Sequence, residues 1–296
     1  MKGPRFTIFT PCYNGEHQIQ RVFDSVKSQN YSDFEWIIIN DGSTDNSDKI
    51  IKSLLKEYAS LEDKIVYICQ KNQGKHRSWN TALKIAKGEL FVPADCDDSF
   101  VPETLDFFND AWCKYGGEDI SGINVCCYNP ETGECVGSQY PKDGLVSNNI
   151  ELDYKYGIQG EHWGCIRTDI LKDRPFPEVK GHFFPENYLW YEIALSYKVV
   201  CFNKKLRAYF YEPTSLSNNF WQKFSKIETY NALLYYLWEL KTIGKRVFVI
   251  SPIKYLRLYY NIARSIIYFF ISYIMWLFKT MVDFVWRVAC PPPVFL

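Results

Sequence analysis

The chain has 296 residues, with 34 Lys plus Arg balanced by 34 Asp plus Glu. That balance argues against a nucleic-acid binder held by bulk electrostatics. Hydrophobic content of 47% and aromatic content of 18% supply a sizeable core and suggest a surface that meets something apolar or sugar-like. Ten cysteines in a chain this long, with Met1 to Arg5 running straight into a strand pattern, are expected to be reduced thiols. Cys126, Cys127, Cys135, His162 and Cys165 contain no Cys-x-x-Cys pair, which argues against zinc.

The predicted elements alternate. Phe6 to Thr10 is a strand closed by Pro11, and Asn14-Gly15 turns the chain. Ile19, Val22, Phe23 and Val26 recur at helical spacing, and Phe34 to Ile39 is a second strand running into Asn40-Asp41-Gly42-Ser43. Asp45 to Ser47 can cap a helix carrying Ile50, Ile51, Leu54, Leu55 and Tyr58. Ile65 to Ile68 is a third strand, and Trp79, Ala82, Leu83 and Ala86 mark a third helix stopped by Gly88. Leu90 to Pro93 is a fourth strand, and Pro102 opens a helix through Phe107, Phe108 and Trp112. Strands and helices at this pitch predict a mostly parallel, doubly wound sheet, whose ligands bind beyond the carboxyl ends of the strands. Ile120 to Asn129 is a further strand, and Leu206 to Tyr211 alternates as one at a sheet edge.

Three polar clusters fall at that carboxyl edge: Thr10 to Asn14, Asn40 to Ser43, and Asp95-Cys96-Asp97-Asp98. The last places three carboxylates within four residues, and carboxylates that close repel unless a cation sits among them. A hard divalent ion with oxygen ligands, bringing a substrate's phosphates, meets that need. The convergence predicts one nucleotide-sized, metal-bearing crevice.

Over about its first 210 residues the chain resembles family 2 glycosyltransferases of the GT-A fold. The resemblance rests on Thr7 to Asn14, on Asn40-Asp41-Gly42-Ser43-Thr44-Asp45, on Asn72-x-Gly74 through Asn80, on Ala86-x-Gly88-Glu89 and on Asp95-x-Asp97-Asp98. It implies an inverting, single-displacement enzyme with a nucleotide-sugar donor and Mg²⁺ or Mn²⁺. Thr10, Pro11, Tyr13 and Asn14 would line the nucleotide, and Asp41 would accept a hydrogen bond from the base, expected to be uracil. Asp95 would face the ribose or a metal-bound water, Asp97 would hold the metal, and Lys75 or Arg77 would add positive charge. Family members commonly carry Glu-Asp shortly before a Trp. Here Pro185 and Glu186 precede Trp190, which makes Glu186 the expected base, and Glu192 stands where many members have Arg. Glu161, His162 and Trp163 fall where the family places acceptor-facing residues, Trp163 offering a flat face to a sugar ring.

After Asn219 the chain becomes helical and aromatic. Phe220 to Lys241 is amphipathic, and Ser265 to Phe278 carries no charge over 14 residues, fewer than the ~20 a spanning helix needs. Arg257, Arg264, Lys279 and Arg287 frame that run, as in a helix lying in a membrane interface. The expected organisation is a catalytic domain over 1–215, with a donor half (1–115) and an acceptor half (116–215), then a helical region (216–296) touching membrane through 251–290. The expected partner is a saccharide or polyprenyl-linked saccharide acceptor at the cytoplasmic face of a cell membrane, in cell-surface polysaccharide synthesis. A non-catalytic saccharide-binding scaffold, or a haloacid-dehalogenase-like phosphatase using Asp95-x-Asp97, is the alternative.

Overall fold

The computed structural model describes residues 3–211 and 226–289. Its elements are β1 (Phe6–Cys12), α1 (Ile19–Lys27), β2 (Phe34–Asn40), α2 (Ser47–Glu57), β3 (Ile65–Cys69), α3 (Lys75–Ile85), β4 (Leu90–Pro93), β5 (Ser99–Phe100) and α4 (Thr104–Tyr115). There follow β6 (Ile120–Tyr128), β7 (Leu145–Ser147), α5 (Asn149–Glu151), β8 (His162–Arg167), α6 (Thr168–Lys172), α7 (Asn187–Ala194), β9 (Lys198–Ala208), α8 (Lys226–Ile250) and α9 (Pro252–Ala289). Part of the amphipathic segment expected from Phe220, residues 220–225, lies outside the described residues.

β1 and β2 are buried along nearly their whole length, not on alternate residues, because helices cover both faces of the sheet. The strand order is β3-β2-β1-β4-β8-β6-β9-β5, with β7 also paired to β9. The first four strands are mutually parallel, as the alternation predicts. β8 then joins β4 antiparallel, and the second half mixes both senses. The order reverses at β1, which puts the topological switch point between β1 and β4.

Two strand boundaries differ from expectation. β1 continues through Pro11, paired with Ile39 of β2. The Phe9 carbonyl accepts from Ala94, so alternate residues of β1 point their backbone groups toward β4, and Pro11 is one of them. β4 has ended by then, and the missing N–H of proline breaks no ladder bond. The Leu206 segment is not an edge. It is the end of a longer β9, flanked by Cys127 and Tyr128 of β6 on one side and Ser99 and Phe100 of β5 on the other.

The core of the α/β part is aromatic. Trp79 of α3 packs edge-on against Phe9, Phe176 and Trp190 and lies tilted on Phe91, with ring centroids 5.1–6.1 Å away. It is 1% exposed. One residue carries α3 onto β1, β4 and α7 at once. Asn80 adds a two-way clamp, donating to the Phe176 carbonyl at 2.8 Å and accepting from the Phe176 N–H at 3.0 Å.

The chain divides into two compact units. One runs to Glu178 and resumes at Glu186 through β9; the other combines Val179–Pro185 with α8 and α9. In the second unit the helices form an antiparallel hairpin: Thr229 meets Ser272 at 3.2 Å, and Phe248 meets Tyr255 with centroids 5.3 Å apart. Pro252 opens α9, where its missing N–H is harmless. Asn231 ties α8 to the Lys180 and Phe183 carbonyls. The face of α8 with Ile227, Tyr230, Leu234 and Leu237 is turned outward, while Ala232, Tyr235, Glu239, Ile243 and Val247 are buried.

Candidate active site

The carboxyl ends of β1, β2 and β4 bring the three polar clusters to one edge, and the first two hold each other. Asn14 takes a left-handed φ of 53°, which its short polar side chain tolerates. Its side-chain Oδ1 accepts from the Thr44 N–H at 2.8 Å, and its backbone N–H donates to Ser43 Oγ at 3.0 Å. Tyr13 is half exposed beside it. Pro11 is half-buried, whereas Thr10 is fully buried, its hydroxyl accepting from the Trp36 indole N–H at 3.0 Å.

Asp41 is 3% exposed. Its carboxylate accepts from Gln70 Nε2 at 2.7 Å, from the Gln73 N–H at 3.1 Å and from the Gly74 N–H at 2.7 Å. Gly74 precedes the first residue of α3, so Asp41 places negative charge at that helix's electropositive start. Gly42 has φ of 74°, and a Cβ there would come within 2.5 Å of the Asn72 nitrogen; the two loops touch through backbone.

β4 delivers the acidic loop. Asp95, Asp97 and Asp98 each offer a carboxylate oxygen, all within 4.8 Å of one another, and they form the one such group of three or more among the described residues. Two cations enter it. Lys75, the first residue of α3, places Nζ 2.9 Å from Asp95 and 2.9 Å from Oε1 of Glu186. Arg207 of β9 contacts Asp98 closely and lies 3.3 Å from Asp95. Arg21 donates to the Asp97 backbone carbonyl and holds the loop from a third side.

The charges reflect this crowding. Asp95 is held below the usual carboxylate range because Lys75 and Arg207 outweigh its burial. Asp97 is pushed up, first by burial and then by Asp95. Burial also drives Asp98 upward, but the Arg207 contact opposes it, and we take the pair as ionised. These hard oxygen donors fit Mg²⁺ or Mn²⁺. Asp95 supports the fit: the Lys75 ammonium lies 2.9 Å from its Oδ1, so a cation is already favoured at this place. Arg207 is locked onto Asp98, whereas Asp95 is held mainly by the more exposed Lys75, so Asp95 and Asp97 are the pair a divalent ion would take.

The remaining expected residues separate. Glu186 ends the loop before α7 with a side chain 42% exposed, joined to the cluster through Lys75. Arg77, two positions beyond Lys75, leaves the helix on another face. Glu161 is half-buried and pushed up by burial, with Glu186 and Asp95 adding to the shift and Arg207 and Lys75 opposing it. His162 instead meets the Ser138 carbonyl at 2.8 Å and lies tilted against Tyr140, a tie between loops. Trp163 departs from expectation. It is 4% exposed, donates to the Pro93 carbonyl and packs on Phe100 and Phe108, so its ring face is covered by the core.

Arg207 was not singled out from sequence. One signal pointed to it: an arginine between Leu206 and Ala208 in a strand pattern, in a chain whose acidic loop needs a cation.

A 3-2-1-4 sheet with carboxylates and cations gathered at its switch point defines an α/β protein built like the nucleotide-binding folds. Comparison with known proteins narrows this. The family model Glycosyl transferase family 2 matches residues 7–173, over half of the chain, and the chain belongs to that family. Glycosyltransferase GlyA of Streptococcus pneumoniae serotype 4 is 28% identical over 235 residues, covering 74% of this chain but only 32% of that protein. A Campylobacter jejuni GalNAc(5)-diNAcBac-PP-undecaprenol beta-1,3-glucosyltransferase is 24% identical over 181 residues, 59% of this chain and 55% of the relative. Among solved structures, Staphylococcus aureus TarS 1-349 in complex with UDP-GlcNAc superposes with a TM-score of 0.61 at 20% identity, over 80% of this chain and 66% of that one. The mannosyltransferase PcManGT of Pyrobaculum calidifontis, in complex with GDP-Man and Mn²⁺, gives 0.61 at 14% identity, over 98% of this chain and 82% of that one. These likenesses establish the GT-A fold expected from the sequence. Family membership leaves the phosphatase alternative without support.

Proposed function

We propose that the chain is an inverting glycosyltransferase that moves one sugar from a UDP-linked donor to a saccharide or lipid-linked saccharide. The observation that carries the reading is the meeting of Asp95, Asp97, Lys75, Arg207 and Glu186 at the switch point of a family 2 fold. Thr10, Pro11, Tyr13, Asn14 and Asp41 build the nucleotide wall, Thr10 and Asp41 as its buried frame. A divalent cation held by Asp97 and Asp95 would stabilise charge on the departing diphosphate. Lys75 adds a positive charge beside it. Arg207 fixes the acidic loop and favours the ionised form of its carboxylates. An alcohol is a poor nucleophile at neutral pH, and Glu186, the exposed carboxylate of the cluster, takes its proton. Glu161 lines the acceptor side; His162 and Trp163 support it from behind.

In this reading 1–215 is the catalytic domain, with a donor half (1–115) and an acceptor half (116–215), and 216–296 is a membrane-touching helical region. Among the described residues no helix is long and apolar enough to cross a membrane. Yet from Leu240 to Val282 the sequence has seven Lys or Arg and no acid. Along α9, Ile253, Leu256, Tyr260, Ile267, Phe270 and Ile274 are exposed at helical spacing. An apolar stripe with only cations beside it fits an anionic lipid surface. A membrane-bound acceptor at the cytoplasmic face, in cell-surface polysaccharide synthesis, would make that contact functional.

The test is a thermal-shift screen of nucleoside diphosphates with and without Mn²⁺. A ligand of the native state raises the melting temperature by mass action. UDP should stabilise the chain only with Mn²⁺, and Asp97→Ala should abolish the effect. A folded sample that no nucleoside diphosphate stabilises would overturn the reading.

A further inference from the structure

We infer that Lys75 is a positioning cation that exchanges between the metal side and the base, so that donor binding frees Glu186. This rests on the donor site proposed above. Lys75 Nζ stands 2.9 Å from Asp95 and 2.9 Å from Glu186, so a single ammonium neutralises one carboxylate on the donor side and one on the acceptor side. An ammonium carries three protons and can hold both together. In that state each carboxylate is occupied. Glu186 is a poor base while it accepts a charge-assisted hydrogen bond, and Asp95 is a poor ligand while a competing cation sits on it.

Of the two cations on Asp95, only one is free to leave. Arg207 is 9% exposed and locked onto Asp98. Lys75 is 37% exposed, on a flexible four-carbon stem. A divalent ion at Asp95 and Asp97 repels the neighbouring ammonium, and the diphosphate arriving with it offers that ammonium a new partner. Lys75 then swings toward phosphate and releases Glu186 to the acceptor hydroxyl. The base becomes available when the donor is loaded, which disfavours activating a nucleophile at an empty site.

The framework suits a moving side chain on a fixed base. Asp41 caps the start of α3, Asn80 clamps it to Phe176, and Trp79 packs on Trp190 four residues beyond Glu186. The backbones carrying Lys75 and Glu186 are therefore held relative to each other, and only the lysine stem has to turn.

The experiment is calorimetric titration of the full chain with Mn²⁺ alone, then in the presence of UDP. Lys75→Met removes the competing charge and should tighten Mn²⁺ binding about tenfold in the absence of UDP. The gain in Mn²⁺ affinity that UDP brings should shrink in the same variant. Lys75→Arg keeps the charge and should stay within about threefold of wild type in both titrations. Should Lys75→Met fail to fold, Lys75→Gln is read the same way. A neutral variant that binds Mn²⁺ no tighter than wild type overturns the exchange and leaves a structural ion pair. Wild type that binds neither Mn²⁺ nor UDP overturns the donor site itself, a distinguishable failure.

Discussion

The α/β unit and the helical hairpin handle burial in opposite ways. In the first, Trp36, Trp79, Phe9 and Phe91 are enclosed, and the buried charges of Asp98 and Arg207 meet each other. In the second, Glu239, Asn231 and Ser265 are buried while Val249 and Ile253 are 83% and 82% exposed. A unit that satisfies its apolar surface internally is complete in water. One that turns such surface outward, with cations alongside, has the surface that the proposed lipid contact would use.

Substitutions can sharpen or break that contrast. The largest effect belongs to Glu186→Gln, which should lower transfer to a soluble acceptor by roughly 10²–10⁴-fold while UDP affinity stays near wild type. Paired changes of Ile253 and Leu256 to Ser should leave that turnover intact and abolish flotation with anionic vesicles. Next, Arg207→Leu leaves Asp98 and Asp95 short of a buried partner and should destabilise the fold by about 3–5 kcal/mol in urea titrations. Trp79→Ala should cost about 3–5 kcal/mol through the cavity it opens among four rings. A comparable loss from Ile253→Ser would break the contrast, because that residue would then be part of a core. In the hairpin, Lys254→Gln and Arg257→Gln should each weaken binding to anionic vesicles roughly fivefold, with no change in melting temperature.

The smallest effect concerns pH. Burial lowers the His162 pKa from its ordinary value of 6.5. The unfolded chain therefore takes up this proton more readily as pH falls, and the stability present above about 6.5 declines below it. His162→Gln should flatten that part of the stability profile between pH 7.5 and 5.5, measured by urea midpoint.

What was legible in the sequence follows from range. β1 to β4 and their helices are written locally, in apolar runs such as Phe34 to Ile39 and in helix-spaced residues such as Ile19, Val22, Phe23 and Val26. Their parallel order follows from βαβ connection rules. The acidic loop was equally plain, since three carboxylates in four residues need no partner to be noticed. The second half was harder, because its pairings are long-range. Nothing near Leu206 says that Ser99 and Phe100 will pair with it and make its strand interior. For the same reason Arg207, 109 residues from Asp98, went unmarked although the loop's need for a cation was clear. Trp163 failed differently. An indole suits a sugar and a core equally well, and only the arrival of Phe100 and Phe108 decides which.

The Asp41 carboxylate has a consequence for selectivity. A side chain whose oxygens are filled by the Gln73 and Gly74 amides and by Gln70 has little capacity left to interrogate a base. Discrimination between uracil and guanine would then fall to the contours of the loops that Asp41 pins, through their own main-chain donors and acceptors. Asp41→Asn should accordingly weaken every nucleotide alike, leaving the ranking of bases untouched, whereas altering the pinned loop at Gln73 would reorder it.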